Sequence, residues 1–211
     1  MKIAILGSTG AVGGECLKQS IAAGHDVSVL VRSPAKFDSS LADKVNVIQG
    51  DALNREDVES LISGVDAILF AVGVDKNSPE DLCTDITRHI LEALRATGTG
   101  RFIWCGGGST LVAEDHLSFG AKFVNFFAKT FLGLRHRDKD HQYELLQQFN
   151  DVKWLGVRPL QIKVGPHTGQ YETGFIPFSG MSSISFADVA DQMLKMIDDD
   201  TWLNKAPIVR Y

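Results

Sequence analysis

The sequence predicts a Rossmann-like α/β fold, a doubly wound parallel sheet in a single domain, on three observations. Apolar runs alternate with helical patterns from the first residues onward. The runs are continuously apolar rather than alternating, as strands covered on both faces are. The first run leads directly into GSTGAVG, residues 7–13, a glycine loop that opens a helical stretch. With 211 residues, 44% of them hydrophobic and 22% charged, the chain has enough material for one compact core. No tandem repeat, low-complexity tract or linker divides it, so one domain over 1–211 is expected.

The elements follow in order. KIAIL (2–6) reads as the first strand, and a helix runs from Ala11 to about Ala23, where Gly24 stops it. DVSVLVR (26–32) is the second strand and ends in a turn at Pro34. VNVIQ (45–49) precedes a short helix for which Asn54 is the N-cap. AILFAVG (67–73) precedes a long helix over about Pro79 to Thr97, and RFIWCGGG (101–108) closes the first half. In the second half DKDHQYELLQQF (138–149) reads as a helix and KWLGVRPL (153–160) as a strand. FADVADQMLKMI (186–197) reads as a helix, and APIVRY (206–211) as a final strand.

The formal charge of -5 gives no general attraction to nucleic acid or to anionic membranes. Cys16, Cys83 and Cys105 are odd in number and widely spaced, without a C-x-x-C pair, so neither a disulfide framework nor a zinc site is predicted. That usage fits a cytoplasmic protein. The apolar run at the start ends at Leu6, short of a signal peptide, and FVNFFAKTFLGL (123–134) is too short to span a bilayer and contains Lys129. No targeting segment and no membrane span are expected.

A loop between a parallel strand and a helix N-terminus is an anion site, because free N–H groups and the helix dipole point at the same spot. In GSTGAVG, Gly7 permits the sharp turn, Gly10 the approach of a pyrophosphate, and Gly13 the close packing of helix on sheet. The spacing G-x-x-G-x-x-G is one residue longer than the usual dehydrogenase fingerprint, and no G-K-[ST] follows that would make it a P-loop. Arg32 ends the second strand where an NAD site carries an acid for the adenosine ribose, and Lys36 follows closely. An arginine there pairs with a 2′-phosphate, so NADP(H) is favoured over NAD(H).

GSTGAVG, VLVRSP, VIQGDALN, AVG and GGGST stand in order at successive strand ends. In these motifs the chain resembles the atypical short-chain dehydrogenase/reductases of the NAD(P)H-binding group, which includes NADH-flavin reductase-like, biliverdin IXβ reductase-like and NmrA-like proteins. VRPLQIKVGPHTGQYETG and SSISFADVADQML are similar to the C-terminal part of the flavin-reductase-like branch. The resemblance implies that Gly7, Ser8, Thr9, Gly10, Ala11, Val12 and Gly13 hold the pyrophosphate and Arg32 the adenosine phosphate. It implies Asp51 and Ala52 at the adenine, and Ala71, Val72 and Gly73 along the ribose and adenine edge. It places Ser109 beside the nicotinamide, and Pro159, Leu160 and Gln161 closing over it, with substrate-side elements in 109–185. It implies an NAD(P)H-dependent reductase passing hydride to a flavin or similar conjugated small molecule, as a monomer or homodimer. A non-catalytic NADP(H)-sensing, protein-binding module and a quinone or carbonyl reductase are the alternatives.

The chain departs from typical members in one respect. These use a Tyr-x-x-x-Lys pair to protonate an alkoxide. Here the only helix tyrosine, Tyr143, is followed at the required spacing by Gln147, while Tyr171 lies in a glycine-rich loop and Tyr211 ends the chain. No acid is evident, which suits a conjugated acceptor that spreads the incoming charge. Ser109, the first hydroxyl after three glycines, is the candidate catalytic residue, in a positioning and electrostatic role, with a turn serine as the alternative. Phe119, Phe123, Phe126, Phe127 and Phe131 recur at helical spacing and predict a core or interface stripe, or else an aromatic wall over a planar acceptor. His136, Asp138, Asp140 and His141 match no metal motif and read as a solvated face, so no metal is predicted. Cys105 reads as a buried strand residue, and His167 as a candidate substrate contact on an exposed loop.

Overall fold

The computed structural model describes residues 1–116, 119–131, 133–177 and 182–211, with the side chains of residues 36, 120, 121, 124, 128, 129, 134 and 135 left out. The side chain of Lys36, expected beside Arg32, and that of Lys129 therefore lie outside the described residues.

The first half runs as expected, with strands and helices in alternation. They are β1 (Lys2–Leu6), α1 (Ala11–Ala22), β2 (Asp26–Val31), α2 (Ser39–Ala42), β3 (Asn46–Gln49), α3 (Arg55–Ile62), β4 (Ala67–Phe70), α4 (Leu82–Thr97) and β5 (Arg101–Cys105). The second half contains α5 (Phe119–Phe131), α6 (Leu134–Gln147), β6 (Trp154–Pro159), β7 (Gln161–Lys163), β8 (Glu172–Gly174), β9 (Ser183–Ser185), α7 (Phe186–Lys195) and β10 (Ile208–Arg210). The main sheet has the order β3-β2-β1-β4-β5-β6-β10-β8, parallel except for β8, which pairs antiparallel with β10. This is the Rossmann-like doubly wound order, with the strand sequence reversing between β1 and β4. A small parallel pair, β7 with β9, stands apart.

Both faces of the sheet are covered, and β1 shows how. Ile3 and Ile5 join the layer formed by Val12, Cys16 and Leu17 of α1 and Val189, Ala190 and Met193 of α7. Ala4 and Leu6 join the opposite layer, with Val58 and Leu61 of α3, Ile90 and Leu91 of α4, and Leu146 of α6. Alternate side chains of an all-apolar strand thus enter two separate cores, the physical reason its sequence shows no polar face.

Several boundaries differ from expectation. β4 and β5 stop at Phe70 and Cys105, so Ala71–Gly73 and Gly106–Gly108 are loop rather than strand. Helix α6 begins at Leu134, four residues before the expected start, and takes in the charged run around His136. The phenylalanine stripe is not core. Phe119, Phe123, Phe126, Phe127 and Phe131 are all exposed, Phe119 to 91%, because α5 lies outside the two layers and packs chiefly against α6. At 100° per residue these rings lie across the helix from Asn125, which faces Ser109, so they do not form a wall over that serine. No helix among the described residues is long and apolar enough to cross a membrane.

One buried ion pair sets the loop after β5. Arg158 on β6 is fully buried and grips Asp115 with two bonds of 2.8 and 2.6 Å. It also donates to the carbonyls of Thr110 and Ala206, each at 2.5 Å. Asp115→Ala leaves that guanidinium buried without its counter-charge and is expected to destabilise the fold by about 3 kcal/mol or more. Urea denaturation measures the loss, and a change under about 1 kcal/mol would show that the carbonyls alone satisfy Arg158.

Candidate functional site

The crevice outside the carboxyl ends of β1 and β4 is built on two close approaches. Gly7 has φ of +86°, and a Cβ there would stand 2.5 Å from the carbonyl oxygen of Ala71. A Cβ on Gly13 would stand 2.1 Å from the carbonyl oxygen of Gly7. Only glycine at both positions lets α1 rest on the turn and the turn rest against the β4 loop. The N-cap of α1 is Gly10, which supplies no side-chain cap, and the first turn holds no acidic residue. The opening N–H groups of the helix are therefore presented outward with the positive end of its dipole. Ser8 is buried in the same loop, and its Oγ has no hydrogen-bond partner among the described residues. An uncapped helix end beside an orphaned buried hydroxyl fits a bound pyrophosphate.

The remaining predicted residues follow along the same sheet edge. Parallel pairing of Leu6 with Leu30 sets the end of β2 beside the glycine loop, and Gly50 N–H donates to Val31 at 3.1 Å, drawing in the end of β3. Arg32 is exposed and has no carboxylate partner among the described residues. Asp51 accepts from Leu53 N–H at 3.0 Å and donates its own N–H to Asp57 at 2.8 Å, closing the turn into α3 with Ala52 inside it. Val72 is half-buried, whereas Gly73 is exposed and a Cβ there would meet nothing within 4 Å.

At the other end, Gly108 donates to the carbonyl of Pro159 at 2.8 Å, and a Cβ on it would stand 2.6 Å from Leu160. The loop after β5 is thereby fastened to the end of β6. Pro159 is buried within β6, Leu160 packs with Leu111 and Ile208, and Gln161 opens β7. Ser109 is half-buried between these loops, its carbonyl held by Asn125 at 2.9 Å.

The structure brings His136 to Ser109, with Asp140 beside it, and sets Lys139 under the ends of β4 and β5, all from a charged run that the sequence read as a solvated face. Ser109 Oγ lies 3.3 Å from His136 Nδ1, and His136 Nε2 lies 3.3 Å from Asp140 Oδ2. Lys139 is buried on the same helix, with its Nζ 3.4 Å from the Val72 carbonyl, 3.3 Å from that of Cys105 and 3.0 Å from Gln142 Oε1. It has no carboxylate within ion-pair distance among the described residues, so it leaves positive charge under the crevice where the ends of β4 and β5 meet. The signal that could have found these residues is the spacing of His136, Lys139 and Asp140, which puts them on one side of a helix once that helix starts at Leu134.

The other residues weighed in the sequence have structural partners. Asp138 accepts from the backbone N–H groups of Cys83 and Thr84 at 2.8 and 3.0 Å and caps α4 from outside. His141 pairs with Asp81, and His167 with Asp191 of α7 at 3.1 Å. Burial pushes the Cys105 thiol up to about 11, which makes it a packing residue rather than a nucleophile. Tyr143 stacks on Trp104, accepts from Gln147 at 3.1 Å, and burial raises its phenol further, away from any acid role in the crevice.

Residues 7–200 match the model of a family described as NAD(P)H-binding. An uncharacterized protein of Bacillus subtilis, YwnB, is 26% identical over 206 residues, which cover 94% of this chain and 92% of that protein. Among solved structures, one described as a candidate NADH-flavin reductase from Streptococcus pneumoniae superposes with a TM-score of 0.75 at 22% identity, covering 100% of this chain and 99% of the other. ChuY, described as an anaerobilin reductase from Escherichia coli O157:H7, superposes with a TM-score of 0.78 at 19% identity, covering 100% and 97%. At such identities these two likenesses show the shared fold.

Gly13→Ala forces a methyl against the Gly7 carbonyl and is expected to cost about 1–3 kcal/mol of stability. It also shifts the cradle, so titration calorimetry should find NADPH binding weakened beyond detection in the folded fraction. Unchanged binding with an intact fold would mean that α1 does not define the anion site.

Proposed function

We propose that this chain, which belongs to the NAD(P)H-binding family, is a reductase that prefers NADPH and passes hydride to a conjugated small molecule, with flavin among its acceptors. The observation that carries the reading is the cradle itself: an uncapped α1 end, an orphaned Ser8 hydroxyl and glycines with no room for a side chain, all on one crevice. Gly7, Ser8, Thr9, Gly10, Ala11, Val12 and Gly13 hold the pyrophosphate, with Ala71, Val72 and Gly73 opposite. Asp51 and Ala52 border the adenine. Arg32, exposed and unpaired among the described residues, takes the 2′-phosphate. Bound, the dinucleotide supplies a hydride at its nicotinamide ring.

The chain's own groups orient and shield. Residues 109–185 form the acceptor side, with Ser109 nearest the reacting end and Pro159, Leu160 and Gln161 as its rim. The loop before Ser109 packs closely, since a Cβ would stand 2.5 Å from Trp104 at Gly106 and 2.6 Å from Leu160 at Gly108, and Lys139 favours negative charge developing above the ends of β4 and β5. The structural neighbours described as a candidate NADH-flavin reductase and as an anaerobilin reductase support this choice of acceptor.

Arg32→Ala should weaken NADPH binding by about 1.5–3 kcal/mol, the worth of a charge-assisted pair, and leave NADH binding unchanged. Calorimetric titration of both cofactors checks this, and equal wild-type affinity for the two would remove the 2′-phosphate role. NADPH oxidation against FMN, FAD, riboflavin and menadione tests the activity. Tight NADPH binding without turnover on any of them would assign a cofactor-sensing role instead.

A further inference from the structure

Helix α5 turns an apolar face to solvent. Phe119, Phe123, Phe126, Phe127 and Phe131 are exposed to 91, 63, 67, 48 and 68%. At 100° per residue their positions span about 140° of the helix circumference. On the order of 600 Å² of ring surface is open, at the upper limit of the largest apolar patch on an ordinary monomer. Thr130 stands within the same arc, and its hydroxyl donates to the Phe126 carbonyl at 2.9 Å, so it is satisfied inside the helix and does not need water. Positions 122 and 129, both lysine, are two turns apart and border the arc on one flank. Lys122 is exposed and has no carboxylate within ion-pair distance among the described residues.

The charge around this face has one sign. The whole chain carries -5, yet residues 116–137 contain Lys122, Lys129, Arg135 and Arg137 and no Asp or Glu. Arg137 is paired with Glu80. The acids that bracket the stretch are turned inward: Asp115 is gripped by Arg158, and Asp138 accepts from the N–H groups of Cys83 and Thr84. A second copy seated on α5 by two-fold symmetry would set each basic stretch against the other, and like charges across an interface oppose pairing. A convex helix with bulky rings on one arc and lysines along its edge is the form that lies in a lipid–water interface, rings among the acyl chains and ammonium groups at the headgroups.

We propose that α5 docks the protein on an anionic lipid bilayer, its phenylalanine face inserted below the headgroups and its basic flank at the lipid phosphates. The 13-residue helix lies along the surface and spans nothing. Aromatic burial supplies the binding, and the local basic stretch selects anionic lipid in spite of the negative charge of the whole chain. On the other side of the helix Asn125 holds the Ser109 carbonyl at 2.9 Å, so the docked helix stays fastened to the candidate site.

Flotation of the intact protein with lipid vesicles tests this without any dinucleotide, and so independently of the reductase reading. Wild type should partition into vesicles of equal parts phosphatidylglycerol and phosphatidylcholine about 10-fold more strongly than into phosphatidylcholine alone. Phe123→Ser combined with Phe126→Ser should lower that partition about 10-fold or more. Both side chains are exposed, so the urea midpoint should stay near that of wild type. Phe126→Trp keeps an aromatic ring and gives a second reading: its added emission should be quenched by vesicles brominated along the acyl chains. Equal partition into both vesicles, no partition into either, partition that survives the paired serine substitution, or an unquenched tryptophan would each overturn the proposal. So would a lipid-free dimer in sedimentation velocity that the serine substitutions split, because the face would then belong to a second copy.

Discussion

The contact between Gly13 and the Gly7 carbonyl is the constraint on which the functional end of the molecule depends. A side chain has no space there, since its first atom would stand 2.1 Å from that oxygen. The helix therefore sits directly on the turn, and the turn, left-handed at Gly7, leans on the backbone of Ala71. Two consequences follow from one packing fact. The α1 N-terminus opens at the crevice, with Thr9, Gly10 and Ala11 exposed there, and the end of β4 is pressed close to the turn. The proposed anion site is thus a product of backbone packing and draws on no charged side chain.

A polar network under the crevice performs the matching task on the β5 side. Lys139 reaches the carbonyls at the ends of β4 and β5, and shares Gln142 Oε1 with the Trp104 indole N–H, which donates to it at 2.6 Å. Gln142 in turn donates to Thr87 of α4 at 2.6 Å. The members of this network satisfy one another, so it rigidifies rather than weakens the core. The Arg158–Asp115 pair does the same one strand farther along. Between them these networks hold the loop from Gly106 to Asp115 and so fix Ser109 relative to the glycine turn. On the far rim, Asp188 pins Thr168 and Gly169 to α7. Burial raises its pKa, but the bonds from Thr168, Gly169 and Tyr211 outweigh that and hold it at about 2.

The fold was legible because strands buried on both faces are largely apolar, as IAIL, VLV and AILF are within β1, β2 and β4. The turn from Gly7 to Gly13 was legible because its glycines stand where strand gives way to helix. The surroundings of Ser109 were not legible, for a tertiary reason. His136, Asp138 and Lys139 sit in a charged run that by composition is a solvated face, yet all three are buried. What makes burial tolerable is supplied from elsewhere in the chain: Ser109 from the β5 loop, the N–H groups of Cys83 and Thr84 from α4, and the strand-end carbonyls. Local pattern cannot report such partners. The three-residue strands β7, β8 and β9 were missed because so short a run has no period to read. The phenylalanines of α5 show the converse, a helical apolar stripe that the fold leaves exposed.

Amide hydrogen exchange, with and without NADPH, is the most direct test of the crevice as the dinucleotide site. The account predicts new protection at residues 7–13 and 71–73, with lesser protection at 32 and 106–109, and none on the exposed face of α5. Protection confined to other segments, or none at saturating NADPH, would contradict it.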